Sequence, residues 1–379
     1  MAARRARNNC GEMTRAEQGL RTVKGAIGMW RKLASRVLEL SFQTLPFRYL
    51  QRQLAENLVA PFYHSVADQT PRHLRHLYES RRCAEFEADI DFFLRNFNLV
   101  SLDDVLTHTR QGTPLPPRAL FLSFDDGLRE IWETVAPILK RKGVPATFFL
   151  NHDFLDNVQL CYRHKASLLA QAALDLDDRQ RSRIGQAVAQ RLPGAAPPPE
   201  GLAEWLLATP YPQADVLDQV APLLNVDFPA YLRQERPYLD AEQVRALLRD
   251  GFSIGAHSLD HPRFAEITPA EQVRQTVQSV ERLQADFGVN SRTFAFPFTS
   301  DGVERDFYDN VLDVHGMELL FCVGHVARMN DARVVSRVWM EQPNHPSAER
   351  MLRDYYCRLC RQRVARRYFA ARRPPVPPE

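Results

Sequence analysis

Two short stretches of the sequence gather side chains that could bind a metal ion and move protons. In "ALFLSFDDGLRE" (residues 119–130) two adjacent carboxylates, Asp125 and Asp126, end an apolar run and are followed at once by Gly127. In "GAHSLDHPRF" (residues 255–264) His257 and His261 stand four positions apart at the end of another apolar run. Neighbouring like charges repel, and they persist in a cleft where a cation is shared, one is protonated or water solvates both. Two imidazoles and one carboxylate leave positions of a divalent ion open for water and substrate, the pattern of a catalytic metal site. On this reading Asp126, His257 and His261 are the ligands, and Asp125 is left free for proton transfer. The histidine spacing predicts a short helical turn that points both rings the same way.

The elements that must position these residues read as alternating strands and helices. An apolar strand in "NLVAPFYHSV" (57–66) ends at His64, and a helical segment around 83–97 leads to the aspartate strand at 119–125. A helix over 128–142, closed by Gly143 and Pro145, precedes a strand at 145–150. From about 151 to 239 the chain is rich in Ala, Leu, Gln and Arg, broken by "LPGAAPPPEG" (192–201), and reads as a mostly helical insertion. The alternation resumes with a helix at 241–250, a strand at 252–258, a helix at 268–286 and strands at 293–298, 319–324 and 334–340. About seven strands, mostly separated by helices, predict an α/β fold, a distorted (β/α) barrel with a mostly helical insertion; an open doubly wound sheet is the alternative.

The composition, with 45% hydrophobic and 25% charged residues, excludes global disorder and a collagen-like architecture. The net charge of +3 is uneven: residues 1–50 and 350–379 each carry +7, which leaves the middle at −11. Basic ends on an acidic body point to an anionic membrane surface as partner and away from nucleic acid, with solvated tails as the other reading. Residues 16–43 place Leu20, Val23, Ile27, Trp30, Ala34 and Val37 at helical spacing among basic residues, an amphipathic helix suited to a membrane interface or to packing on the body. No window approaches the roughly 18 apolar residues of a membrane span. The expectation is a cytoplasmic, non-spanning protein, peripheral at the inner face of the membrane. The division expected is a basic N-terminal segment (1–50), the barrel (51–348) with its insertion (151–239), and an Arg-rich tail (349–379). Six scattered cysteines are no disulfide framework, and Cys357-x-x-Cys360, with no second pair, reads as coincidence more than as a metal or redox motif.

"SFDDG" (123–127), "HSLDH" (257–261) and "FAFPF" (294–298), in that order, resemble the successive motifs of the polysaccharide deacetylase family, the chitooligosaccharide deacetylase-like carbohydrate esterases. The resemblance covers roughly residues 57–345, and it implies that Asp125 is the general base and that Asp126, His257 and His261 bind zinc or a similar divalent ion. Two departures stand out. Most members carry an Arg two residues before the Pro of the third motif, where this chain has Ala295, and the late His motif that supplies the general acid is not evident. In the poly-N-acetylglucosamine deacetylase-like branch the motif order is permuted and the His follows an early Tyr, which implies His64 as the general acid. His325 and His345 are fallback candidates. Arg337, on the last strand, is a candidate to replace the missing Arg, and Phe298 and Trp339 are candidates to wall the acyl group or the sugar. Asp260 reads either as a residue that orients a ligand or as an exposed turn carboxylate.

The resemblance implies hydrolysis of an N-acetyl or other N-acyl group on an amino sugar of a surface polysaccharide, a lipopolysaccharide or a lipid-linked precursor. The ion would polarise the acyl carbonyl and activate water, with a backbone N–H of the 296–299 loop assisting. The rival readings are a deacylase acting on an O-ester or formamide, and a non-catalytic glycan-binding or assembly protein that retains the barrel.

Overall fold

The computed structural model describes residues 45–53, 58–192, 201–323, 331–344 and 346–370. The expected amphipathic helix at 16–43, most of the proline-rich loop, His325 and His345 lie outside these residues. The chain divides into a unit spanning Ala55–Met351 and a second made of Met1–Leu54 with Leu352–Glu379.

In the larger unit the strands are short and most are buried along their length, as strands are when helices cover both faces; Asn98–Val100 and Val334–Ser336 are partly exposed. In chain order they are β1 (Pro61–Tyr63), β2 (Asn98–Val100), β3 (Ala119–Phe121), β4 (Ser123–Phe124), β5 (Thr147–Leu150), β6 (Ser253–Ala256), β7 (Thr293–Ala295), β8 (Leu319–Cys322), β9 (Val334–Ser336) and β10 (Val338–Trp339). Eight of them form one parallel sheet in the order β10-β1-β4-β5-β6-β7-β8-β9, and β2 pairs with β3 separately. The two ends of that order, β9 and β10, flank Arg337 in one run of chain. Arg337 N–H donates to the Cys322 carbonyl and Val338 N–H to the Ala60 carbonyl, both at 2.8 Å, so pairing passes from β8 to β1 between adjacent residues. The sheet thereby wraps into a distorted (β/α) barrel.

The expected strand at 334–340 is thus two strands, and the run at 119–124 also divides, β3 going to β2 and β4 to the barrel. The first of these splits is why the sheet has eight members where about seven were expected; the second places β3 in a separate pair. Inside, Phe121 stacks on Phe321 with ring centroids 4.9 Å apart, Phe149 meets Phe321 at 5.0 Å, and Ala60 and Ala295 complete the same cluster.

Between β5 and β6 the chain forms the helices Tyr162–Leu174, Asp178–Arg191, Leu202–Leu207, Asp215–Val220, Phe228–Glu235 and Ala241–Arg249. Most of them share an apolar core that includes Leu169, Val188, Leu206 and Leu217 and continues onto Leu74, Leu128 and the partly buried Phe298 of the barrel loops. In the second unit, Phe47 of the helix Phe47–Gln53 meets Tyr356 of the helix Ala348–Ala370 edge-on at 5.7 Å, and Arg353 lies over the Phe47 ring. Cys357 and Cys360 on that same helix are free thiols. No described helix is long and apolar enough to cross a membrane.

Candidate active site

The chemistry-bearing residues sit where parallel strands end. Tyr63 of β1 pairs with Phe124 of β4, so the next residues, His64 and Asp125, emerge from neighbouring strands at the same level. Leu150 of β5 pairs with Ala256 of β6, which brings His257 to that rim as well. The backbone fixes these exits: Asp125 N–H donates to the Tyr63 carbonyl and His257 N–H to the Leu150 carbonyl, both at 2.9 Å. After Asp125 the chain turns through two left-handed residues, Asp126 (φ 72°) and Gly127 (φ 66°). A Cβ at position 127 would approach Leu150 Cδ2 to 3.2 Å, so glycine serves both the angle and the space.

The stretch from His257 to His261 is not a helical turn. Hydrogen bonding of a helix cannot start there, because Ser258 (φ 71°) and His261 (φ 63°) are left-handed and Ser258 Oγ accepts the His261 N–H at 3.0 Å. The rings nonetheless converge, with centroids 5.1 Å apart. His261 Nε2 lies 3.2 Å and His257 Nε2 3.4 Å from Asp126 Oδ1.

Asp126, His257 and His261 each offer a ligand atom, and these atoms all lie within 4.8 Å of one another. His257 Nδ1 is 2.9 Å from the Ala295 carbonyl, which can only accept, so Nδ1 carries the hydrogen and Nε2 keeps a lone pair. Burial holds the His257 imidazole below its ordinary value, against the pull of Asp125 and Asp126. Asp126 Oδ1 and His257 Nε2 are buried with no well-aligned hydrogen bond among the described residues. Orphaned acceptors on a two-imidazole, one-carboxylate set fit a divalent cation.

Asp125 is gripped separately. Arg337 donates to both its oxygens, Nη1 to Oδ1 at 2.7 Å and Nη2 to Oδ2 at 2.6 Å, with both side chains buried. Burial alone would raise the Asp125 carboxyl; the charge and hydrogen bonds of Arg337 overcome it and hold the group below the usual carboxylate value. The guanidinium also lies 4.1 Å from the centre of the Phe62 ring.

His64 is held by Glu341, which sequence reasoning missed. Glu341 Oε1 accepts the N–H groups of His64 (2.5 Å) and Ser65 (2.7 Å), while Oε2 stands 2.8 Å from His64 Nδ1 and accepts from Trp339 Nε1 at 2.9 Å. Burial would lower His64, but the buried Glu341 carboxylate outweighs it and, with help from Asp126 and Asp125, raises the imidazole to about 9. A lone Glu just past a strand has no spacing partner to flag it. Tyr78, whose ring centroid is 5.1 Å from that of His64, was equally silent in the sequence.

Phe298 packs against His261 at 4.7 Å between ring centroids, and Trp339 lies 6.5 Å from His64, so both aromatic candidates border the site. In the loop 296–299, Phe296 N–H is already donated to the Phe321 carbonyl and Pro297 has none. That leaves the N–H groups of Phe298 and Thr299 as the loop's available oxyanion donors. Asp260 accepts hydrogen bonds from Tyr211 and Gln275 and is no free turn carboxylate.

A family model described as polysaccharide deacetylase matches residues 112–190 and 212–318, which takes in Asp125, Asp126, His257 and His261 but not His64, Arg337 or Glu341. Among solved structures the chain is similar to IcaB from Ammonifex degensii (16% identity, 80% of this chain and 97% of that chain, TM-score 0.49). It is also similar to the Streptococcus pyogenes deacetylase PplD (14% identity, 78% and 97%, TM-score 0.49). A third is a de-N-acetylase from Aggregatibacter actinomycetemcomitans (17% identity, 74% and 93%, TM-score 0.43). No curated protein matches the chain.

Proposed function

We propose, from the premise that this chain belongs to the polysaccharide deacetylase family and is a carbohydrate deacetylase, that it is a metal-dependent hydrolase that removes N-acetyl or related N-acyl groups from an amino sugar. The observation that carries the reading is the buried Asp126–His257–His261 set beside an ion-paired Asp125.

Asp126, His257 and His261 would hold a divalent ion, zinc being the first assignment, which would supply Lewis acidity toward the acyl carbonyl and toward a water molecule. Asp125 acts as the general base. Its depressed carboxyl is ionised at neutral pH and ready to accept a proton from water, while Arg337 keeps it from turning toward the cation. The water oxygen bonds to the acyl carbon, and we assign the N–H groups of Phe298 and Thr299 as donors to the oxyanion. His64 is charged below about pH 9 and delivers a proton to the amide nitrogen as the carbon–nitrogen bond breaks, giving a carboxylate and a free amine. Glu341, bound at Nδ1, leaves Nε2 as the donating atom.

Ala295, which stands where most members carry an Arg, is offset by Arg337 on Asp125. Its backbone carbonyl serves to set the His257 tautomer. We assign the natural substrate to the N-acylated sugars of surface glycans or lipid-linked precursors, the poly-N-acetylglucosamine type included. The basic ends of the chain would then hold the enzyme against anionic lipid.

The test is metal analysis of the native protein beside an Asp126→Ala, His257→Ala double variant, with acetate release and new primary amine assayed on N-acetylglucosamine oligomers. About one metal per chain, lost in the variant together with both products, supports the proposal. No metal in either protein after supplementation overturns it, and release of formate, or of acid without amine, moves the reading to a formamide or an O-ester. Sedimentation with anionic and neutral liposomes, with and without residues 1–45, tests the location.

A further inference from the structure

The turn that carries His261 is restrained from outside the barrel. Asp260, its chain neighbour, accepts on Oδ2 from the Tyr211 hydroxyl at 2.6 Å and on Oδ1 from the Gln275 amide at 2.7 Å. Gln275 is fully buried, and its own oxygen accepts the Leu259 N–H at 2.9 Å, so one side of the clasp is built into the helix Pro269–Phe287 behind β6. The other side comes from the helical insertion. Tyr211 opens the short turn Tyr211–Gln213, rests on the insertion's apolar core, and meets Tyr162 edge-on at 5.5 Å. Its N–H is also donated to Glu266, just past the histidine turn, at 2.8 Å.

Restraint has a physical reason here. Ser258 and His261 both occupy the left-handed region, where residues with a Cβ persist only when the surroundings hold them. With the tether cut, that backbone can relax toward more populated angles and carry the His261 ring with it.

We propose that Tyr211 is a positioning residue for the metal site: by fixing Asp260 it holds the turn that aims His261 at Asp126, which makes the insertion a support of metal binding. This rests on the reading of Asp126, His257 and His261 as ligands. Direct hydrogen-bond partners of metal ligands contribute about 10- to 100-fold in metal affinity, and a tether one residue along the backbone is expected at the low end of that range.

The experiment is a Zn2+ titration of the full-length protein in competition with a chromophoric chelator. The set comprises the unmodified protein, Tyr211→Phe, Asp260→Ala, their double variant, Tyr231→Phe and His257→Ala. Tyr211→Phe and Asp260→Ala are each expected to weaken Zn2+ binding by about tenfold or more, and the double variant to be no weaker than Asp260→Ala alone, because Asp260→Ala already removes the Tyr211 bond along with the Gln275 bond. Tyr231→Phe removes a comparable hydroxyl of the insertion, the one 3.0 Å from His73 Nδ1, which makes no bond to Asp260. It is expected to stay within about twofold.

Unchanged affinity in Tyr211→Phe, an equal loss in Tyr231→Phe, or multiplying effects in the double variant overturns the proposal while the metal site stands. If the unmodified protein binds no more tightly than His257→Ala, the metal site itself fails and this proposal with it. Should Tyr211→Phe not melt cooperatively, Asp260→Ala decides alone, and unchanged Zn2+ affinity there overturns the proposal.

Discussion

Asp125 is a carboxylate almost without access to solvent, and a guanidinium from the run that closes the sheet keeps it ionised. Arg337→Met would leave that charge buried without its bidentate partner, the His257 ring being 3.9 Å away. Stripping one partner from a buried pair costs about 3 kcal/mol or more, and a misplaced general base costs about a hundredfold in kcat. Urea denaturation and steady-state kinetics on the same variant would read both. His64 carries the opposite logic. Because its folded value of about 9 lies above the ordinary 6.5, protonation favours the folded state: the contribution is full below about pH 6.5 and is lost as pH rises through 9. In the proposed mechanism the protonated form is the active one, so kcat/KM is expected to fall on the alkaline side near pH 9. In Glu341→Gln that limb is expected to move down toward 6.5, while Gln can still accept the two backbone N–H groups. An alkaline limb that stays in place in a pH–rate profile would remove His64 as the acid.

At the scale of elements, the site depends on strands packed closely enough to leave no side chain at Gly255. A Cβ there would stand 2.5 Å from Phe149 Cε1 and 2.8 Å from Thr293 Oγ1, both in the crowded space between β5, β6 and β7. Phe149 is itself fixed against Phe321 and cannot swing aside. Gly255→Ala is therefore expected to destabilise by about 2 kcal/mol, and to lower activity further because His257 lies two residues on. Full activity with an unchanged urea midpoint would show that β6 shifts freely. The loops that leave the strands follow a shared device. Asp126, Ser258, His261 and Phe298 all take left-handed angles without being glycine, which concentrates strain at the rim where ligands and substrate would meet.

For the whole molecule, the proposed ligand set joins β4 to β6 across β5, with the insertion between the two stretches of sequence that carry it. An ion bound there favours the folded chain alone, since the unfolded chain does not bring those ligands together. Chelator treatment is expected to lower Tm by several degrees in the unmodified protein, with Zn2+ restoring it, and to leave the Tm of His257→Ala unmoved. A Tm indifferent to chelator in both proteins would remove the ion from the folding equilibrium.

The sequence by itself determined the adjacent carboxylates, the histidine pair and the apolar runs that precede them, because strand ends and short spacings are local properties. The alternation of strand and helix was enough to point to a (β/α) barrel. What lay beyond local pattern was decided by closure of the sheet. Whether Arg337 could stand in for the residue missing at Ala295 depends on β9 and β10 carrying one chain from β8 to β1, which brings a late residue against Asp125. Glu341 reaches His64 by the same route, across 277 positions of sequence. The predicted helical turn failed for a related reason: Ser258, Asp260 and Asn151 bind partners on other elements, and those hydrogen bonds outweigh the local preference of a four-residue spacing. Residue types and spacings named the chemistry, and long-range pairing decided which charge stands beside which, because Coulomb interactions and hydrogen bonds act on distance in space and take no account of separation along the chain.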